Sequence, residues 1–178
     1  YQSMSGDAEG TQGTFDMTGG SLAYTGSSGP LFYVTNSTGI ITLNGVSVTA
    51  ASGTLLNASA GNWGVSGSNG GTVIFTANGQ TLSGNFVADN VSAMTISLKS
   101  GSSLTGAINS GNTAKTASLK LDSSSTWNVT ADSYLTCLSN LGSINSNGHN
   151  VLYDSSACSA LNGKTYALNG GGSLQPIN

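Results

Sequence analysis

The side chains that could carry out chemistry are few in this sequence, and they are scattered. The seven acidic residues are Asp7, Glu9, Asp16, Asp89, Asp122, Asp132 and Asp154. Enzymes that cleave polysaccharides need two carboxylates facing one groove, or clustered acids that hold Ca²⁺ beside a strong base. No two of these acids lie at positions i and i+2 of one predicted strand, and no arginine is present to act as the base. The sequence therefore predicts no catalytic residue, no metal site and no cofactor.

The single histidine, His149, lies in a segment that favours a turn. Asn147 and Gly148 precede it and Asn150 follows it, and these residue types are common in turns. A zinc site or a histidine-based acid–base pair needs further partners, and the chain has no second histidine. We interpret His149 as a turn residue.

The elements that would position these side chains are short strands. Apolar and hydroxyl residues alternate in residues 14–17, 41–43, 72–75, 95–98 and 118–121. This alternation turns one apolar face inward and one hydroxyl face outward. Each segment is followed by a turn rich in Gly, Ser or Asn, and helical periodicity is almost absent. The pattern predicts an all-β protein.

The order of the strands indicates a repeat. Aligned apolar positions occur at Met17, Leu43, Phe75, Leu98 and Leu121, with steps of 26, 32, 23 and 23 residues. Units of this length are typical of solenoids, whose neighbouring coils stack about 4.8 Å apart. We predict a right-handed parallel β-helix (β-solenoid) of about six to seven coils, forming a single domain over residues 1–178. An antiparallel sandwich, joined by tight hairpins, is the alternative.

A second apolar position follows the first within each predicted coil. Three pairs share one spacing: Leu98 and Leu104, Leu121 and Trp127, and Leu168 and Leu174. The alignment gives Trp127 a place in the core. It also places Lys99 one coil before Asp122, at the aligned position. This predicts an ion pair between coils worth about 0–1 kcal/mol.

The two cysteines predict a disulfide. Cys137 and Cys158 lie 21 residues apart, close to one coil, so stacking would bring them onto adjacent rungs. In an extracellular setting the bridge would hold the C-terminal coils of residues 137–178 together and stabilise them by about 2–4 kcal/mol. Two free, buried thiols are the alternative.

Two kinds of residue could interact with glycans: aromatic rings that stack on sugars, and asparagines that carry N-glycans. The candidates for stacking on sugars are Tyr24, Phe32, Tyr33, Trp63, Trp127, Tyr134, Tyr153 and Tyr166. Trp63 lies in the longest inserted loop, and packing back onto the fold is the commoner outcome for such a ring. Asn-x-Ser/Thr sequons, which would accept N-glycans in a eukaryotic secretory pathway, occur at Asn36, Asn57, Asn90 and Asn128, a number that chance also predicts.

Outward columns of threonine on regular coils could bind ice. The aligned column contains Thr42, Ile74, Ser97 and Lys120. Because this column mixes residue types and contains a charge, the sequence argues against an ice-binding array.

Composition excludes several classes of partner. Charged residues are 6% of the chain, against roughly 25% in ordinary soluble domains. The formal net charge of -3 leaves no basic patch, so nucleic acid is excluded as a partner. No apolar run reaches the length of a membrane span. The chain starts at Tyr1 without Met, and we expect an exported form whose signal has been removed.

Several segments carry a resemblance to a known group of proteins. They are residues 1–9, 17–22, 31–36, 67–71, 80–84 and 125–127, which together span most of the chain. In these segments the chain resembles exported right-handed parallel β-helix proteins of bacteria and fungi that are described as adhesin-like. The resemblance implies the fold and export, but no activity and no catalytic residues. In that group further coils precede the first segment, so we expect the first coil to be incomplete.

These observations predict a non-enzymatic structural or adhesin-like protein, located outside the cell or on its surface. An open end of a solenoid presents unpaired backbone groups, so we expect self-association by coil stacking, end to end, into a fibre. The alternative is a carbohydrate-binding or polysaccharide-processing β-helix, which rests on an analogy of fold alone.

Overall fold

The protein is built almost entirely of β-strands. The computed structural model describes residues 11–177. In chain order the strands are β1 (Gln12–Thr18), β2 (Ser21–Tyr24), β3 (Phe32–Val34), β4 (Ser37–Asn44), β5 (Ser47–Ala50), β6 (Thr54–Ala58), β7 (Gly71–Asn78), β8 (Thr81–Ser83), β9 (Asn85–Ala88), β10 (Ala93–Lys99), β11 (Ser103–Thr105), β12 (Thr116–Leu121), β13 (Thr126–Asn128), β14 (Ser133–Leu135), β15 (Cys137–Asn140), β16 (Ser143–Asn145), β17 (Val151–Tyr153), β18 (Tyr166–Ala167) and β19 (Ser173–Pro176). A short 3-10 helix, Ser159–Leu161, lies between β17 and β18.

The strands fall into three groups that the chain visits in turn. Six strands form one parallel sheet in the order β1-β4-β7-β10-β12-β15, here called the wide sheet. After each strand of the wide sheet the chain enters the second group, which consists of the sheets β2-β5 and β8-β11-β13-β16. It then enters the third group, which consists of the sheets β3-β6-β9 and β14-β17-β19-β18. In residues 11–177 the only antiparallel pair of strands is β18–β19. The all-β prediction is therefore confirmed, and the parallel pairing fits a β-helix rather than a sandwich.

The register of the wide sheet differs from the sequence alignment at two steps. Phe75 pairs with Ile41 on one side and with Ile96 on the other. The alignment of Leu43 with Phe75, and of Phe75 with Leu98, was therefore wrong by two residues at each step. Since side chains alternate with a period of two, a slip of two keeps every residue on its own face. Apolar periodicity could not distinguish these registers.

Other predicted alignments are confirmed, and one is wrong. Met17 pairs with Leu43, and Leu98 pairs with Leu121. In the second group of strands, Leu104 pairs with Trp127. Leu174 does not follow this pattern, because it pairs with Val151 in the third group and with Tyr166 in the antiparallel pair. β19 thus continues the parallel stacking in the third group, and only β18, which pairs with it in the antiparallel sense, departs from the repeat.

The core lies between the three groups of strands. Phe15, Phe32, Phe75 and Phe86 form a chain of edge-to-face rings with centroids 5.1–6.3 Å apart. Trp127 is fully buried, as predicted, and its indole N–H donates to the carbonyl of Gly106 at 2.9 Å. The rings alternate between the wide sheet and the third group, and their edge-to-face contacts bury a large apolar area between these two groups.

Buried polar side chains fix the corner between the wide sheet and the second group. The amide of Gln80 accepts from the backbone N–H of Val46 at 2.7 Å and donates to its carbonyl at 3.3 Å. The hydroxyl of Ser102 donates to the carbonyl of Lys99 at 2.6 Å and accepts from the N–H of Gln80 at 3.0 Å. These bonds satisfy buried backbone groups where the chain bends. They thereby fix where the next strand begins.

The C-terminal segment partly covers one end of the stack. The disulfide joins Cys137 in β15 to Cys158, which lies just before the 3-10 helix, with a Cα–Cα distance of 4.9 Å. The N–H of Leu138 donates to Cys158 Sγ at 3.4 Å, and the hydroxyl of Tyr153 donates to the carbonyl of Lys164 at 2.8 Å. The chain that follows the edge strand β15 thus contacts it at Cys137 and Leu138, whereas Ser139 and Asn140 are exposed. The prediction of an open, incomplete first coil concerns residues 1–10, which lie outside the described residues.

Replacement of a core leucine should destabilise the protein strongly. Leu98 is fully buried and sits between Ala77 and Leu121 on the neighbouring strands. Leu98→Ala should lower the free energy of unfolding by about 2–5 kcal/mol, because it leaves a cavity in the stack. Urea unfolding followed by circular dichroism measures the change. Ser97→Ala, on the outward side of the same strand, is the control and should have little effect; equal losses for both variants would contradict this register.

Candidate functional site

The described carboxylates are used within the fold. Asp122 accepts from the backbone N–H of Ser100 at 2.6 Å and from the hydroxyls of Ser124 and Ser125 at 2.9 and 2.8 Å. These bonds, chiefly that from the Ser100 N–H, lower the pKa of Asp122 to about 2. The predicted ion pair between Asp122 and Lys99 is wrong. The carboxylate instead accepts hydrogen bonds from Ser124 and Ser125 in its own turn and from the N–H of Ser100 on the preceding rung.

The other described acids have similar roles. Asp89 accepts from the N–H of Ala60 at 2.7 Å and from the hydroxyl of Ser92 at 2.6 Å. Asp154 accepts from the hydroxyl of Ser156 at 2.6 Å, and this bond is the main cause of its lowered pKa. Both carboxylates fasten turns.

The remaining two acids also have partners within the chain. Asp132 accepts from the N–H of Asn150 at 2.8 Å, and its Oδ1 lies 3.8 Å from Nδ1 of His149, the only close approach of a carboxylate to a basic side chain in residues 11–177. Asp16 accepts from the amide of Asn44 at 3.4 Å. No group of three potential metal ligands occurs among the described residues. Asp7 and Glu9 lie outside the described residues.

The aromatic candidates are dispersed. Tyr153 is buried, and burial is the main cause of its raised pKa. Tyr24, Phe32, Tyr33 and Tyr134 are half-buried, and Tyr166 is 38% exposed in β18. These residues are divided among three sheets, and of the three that share a sheet Tyr153 is buried, so they form no common exposed platform.

Trp63 is the exception among the rings. Its side chain is 47% exposed, so the expectation that it packs back onto the fold is wrong. The amide of Asn69 donates to the carbonyls of Gly61 and Trp63, each at 2.9 Å, and holds the loop between β6 and β7 in shape. A loop whose backbone carbonyls are held by internal hydrogen bonds can present a ring outward without collapsing.

The sequons differ in exposure. Asn90 is exposed, Asn57 and Asn128 are half-buried, and Asn36 is 3% exposed. The Asn128 side chain also accepts from Asn145 at 2.8 Å. Of the four, Asn90 is the side chain most accessible to a glycosylating enzyme in the folded protein.

The outer surface of the wide sheet, here called the wide face, is the most regular surface of the chain. Its side chains form three in-register columns: Thr38, Thr72, Ala93 and Thr116; Thr14, Ile40, Ile74, Thr95 and Ser118; and Thr42, Thr76 and Ser97. The sequence alignment had placed Ile74 beside Thr42, and the register places Thr76 there. The columns are therefore more uniform than the sequence indicated.

Charged residues flank these columns. Asp16 precedes Thr42 in the third column, and Lys120 follows Ser97 and is itself followed by Ser139 on β15. A fourth column contains an amide ladder, in which Asn78 donates to Asn44 at 2.7 Å, and continues to Lys99. A shallow depression of about 220 Å³ lies over β10, β12 and β15, beside Cys137.

The hydroxyls of the three columns have no side-chain partner within the described chain. Nine of the twelve side chains in these columns are threonine or serine, and none of their hydroxyls forms a side-chain hydrogen bond with another described residue. Ile74 is 43% exposed among them. The hydroxyls are therefore left to bind something outside the chain.

Comparisons with known proteins found no match among family models, curated proteins or solved structures. None of the helices in residues 11–177 has the length and apolar character needed to cross a membrane.

The stability that Asp122 provides should depend on pH. Its folded-state pKa of about 2 lies below the ordinary value of 3.8, so its contribution is present above about pH 4 and is lost as the pH falls towards about 2. Asp122→Asn should lower the melting temperature at neutral pH, and the difference from the wild type should disappear across that window. Thermal unfolding by circular dichroism at stepwise lower pH measures this. Asp16→Asn, which removes a carboxylate with one 3.4 Å contact, is the control; a pH-independent difference for Asp122→Asn would contradict the assignment.

Proposed function

We propose that this protein is an extracellular, non-enzymatic β-solenoid that acts as an adhesin-like scaffold. The observation that carries the proposal is the use of all five described carboxylates as hydrogen-bond acceptors for the chain itself. Asp122 and Asp89 illustrate this use, since each fastens a turn. Acids committed to turns are not paired across a groove, as glycoside hydrolysis requires.

The solenoid part of the proposal rests on the strand order. Six parallel strands in the wide sheet would correspond to six coils, and β19, which pairs in parallel with β17 in the third group, would belong to a partial seventh. Connections between parallel strands of one sheet are almost always right-handed, which supports a right-handed helix. Solenoids are stabilised by contacts between neighbouring coils, so their length sets the size of the surface they present.

The extracellular location is supported by the disulfide and by the low charge. Disulfides such as Cys137–Cys158 persist in oxidising compartments and are rare in the cytosol. The resemblance to exported adhesin-like β-helix proteins points the same way. A scaffold of this kind would hold its wide face and its loops out from a surface.

We propose self-association as a dimer and not as a fibre. The segment that contains Cys158 and β18 partly covers the C-terminal end, whereas β1 is the edge strand of the wide sheet within residues 11–177. An end-to-end fibre needs two open ends. Pairing through β1 alone would give a closed, two-fold dimer, in which β1 meets β1 of a second copy.

Sedimentation velocity over a wide range of concentration tests this form. We expect monomers and dimers, with no larger species, because pairing through β1 alone gives a closed dimer. Electron microscopy of the same samples should show no filaments. Regular fibres would contradict the role of the C-terminal cap and would restore the end-to-end model.

Carbohydrate binding is the second candidate, favoured by the exposed ring of Trp63. This alternative predicts hits on a glycan array that are lost in Trp63→Ala, because a ring held outward by Asn69 can stack on a sugar face. Tyr166→Ala, which removes another exposed ring, is the control and should retain the hits. An array without hits for the wild type would remove this alternative.

A further inference from the structure

The wide face forms a two-dimensional array with fixed intervals. Neighbouring strands lie about 4.8 Å apart, and side chains on one face of a strand recur about every 6.6 Å. From β4 through β7 and β10 to β12 the pairing continues without a register shift. The side chains of the three columns therefore repeat at constant intervals in both directions.

The chemistry of the array suits ordered water. Each threonine offers a hydroxyl, which can bind a water oxygen at about 2.8 Å, next to a methyl group. Ile40 and Ile74 add apolar surface in the middle column. Water beside apolar groups is restricted in orientation, and the hydroxyls, which have no partner within residues 11–177, anchor it in position. Hydroxyls and methyls together would hold a layer of water at the spacing of the backbone.

The charge of the array fits a neutral partner. None of these twelve side chains is charged, and the charges of Asp16 and Lys120 lie directly beside them in the third column, which continues beyond Lys120 to Ser139. An ice lattice is neutral and excludes strongly hydrated ions, so charges at its contact surface are unfavourable. The charge of the wide face and that of an ice surface are therefore complementary.

The residues of the array fit other partners less well. Protein interfaces depend on aromatic and arginine anchors, and sugar-binding surfaces use aromatic rings. None of the twelve side chains is aromatic, and the chain contains no arginine. The class of partner that remains is one that needs only hydroxyls and methyls at regular intervals.

We propose that the wide face is an ice-binding surface, which adsorbs to crystalline water through the three columns. This inference rests on the proposed extracellular, non-enzymatic role and assigns a ligand to that scaffold. The strands are fixed by backbone pairing and by the Asn44–Asn78 ladder, so the array exists before it meets the crystal. Binding then requires little ordering of the protein.

A matched pair of variants tests the proposal. Thr95 lies in the middle column of the wide face, and Thr105 lies on β11 of the second group; both are exposed threonines. Thr95→Lys and Thr105→Lys make the same change of charge and size. Thermal hysteresis and partitioning into a growing ice crystal are measured for the wild type and both variants. Circular dichroism melts establish that each variant is folded.

We expect the wild type and Thr105→Lys to show hysteresis and to enter the ice, and Thr95→Lys to lose both. A wild type without hysteresis or ice partitioning overturns the inference, but leaves the scaffold proposal, which sedimentation and glycan arrays test separately. Equal behaviour of the two variants overturns the assignment to the wide face. Dimerisation that only Thr95→Lys abolishes, without ice adsorption, would show that this face binds a second copy and would also overturn it.

Discussion

Parallel, in-register backbone pairing in the wide sheet is the constraint on which the rest of the structure depends. It places Phe75 between Ile41 and Ile96, and in the same step it places Thr76 between Thr42 and Ser97. Core and surface are therefore specified together, because successive side chains point to opposite faces. Any slip that moved the core out of register would also disrupt the outer columns.

Side chains at the corners protect this pairing. Gln80 and Ser102 bind backbone groups that the bend leaves unpaired, and Asp122 binds the N–H of Ser100 on the preceding rung. Buried polar groups without partners are costly, so these side chains make each bend specific. The low content of acids and lysines then has a structural explanation. Short polar residues suffice to join one rung to the next, and the few carboxylates serve where several donors converge.

Part of this structure was predictable from the sequence. The all-β class, the burial of Trp127 and the pairing of Cys137 with Cys158 follow from alternation, from spacing and from the short distance a disulfide spans. The register at Phe75 was not predictable, because a shift of two residues offers equally apolar positions. The same shift put Ile74 instead of Thr76 beside Thr42, so that column looked less uniform from the sequence than it is. The exposure of Trp63 depends on bonds from Asn69 within the loop, and composition gives no signal of these.

The loop that carries Trp63 also bears on how such a chain can change over evolutionary time. The chain takes 34 residues to pass from Asn44 to its partner Asn78, yet the two side chains still meet at 2.7 Å. The extra length is accommodated outside the paired strands, where it disturbs neither the core nor the outer columns. Insertions at a corner are thus separated from the lattice of the sheet. Selection can remodel the loops of this protein while leaving its periodic surface intact.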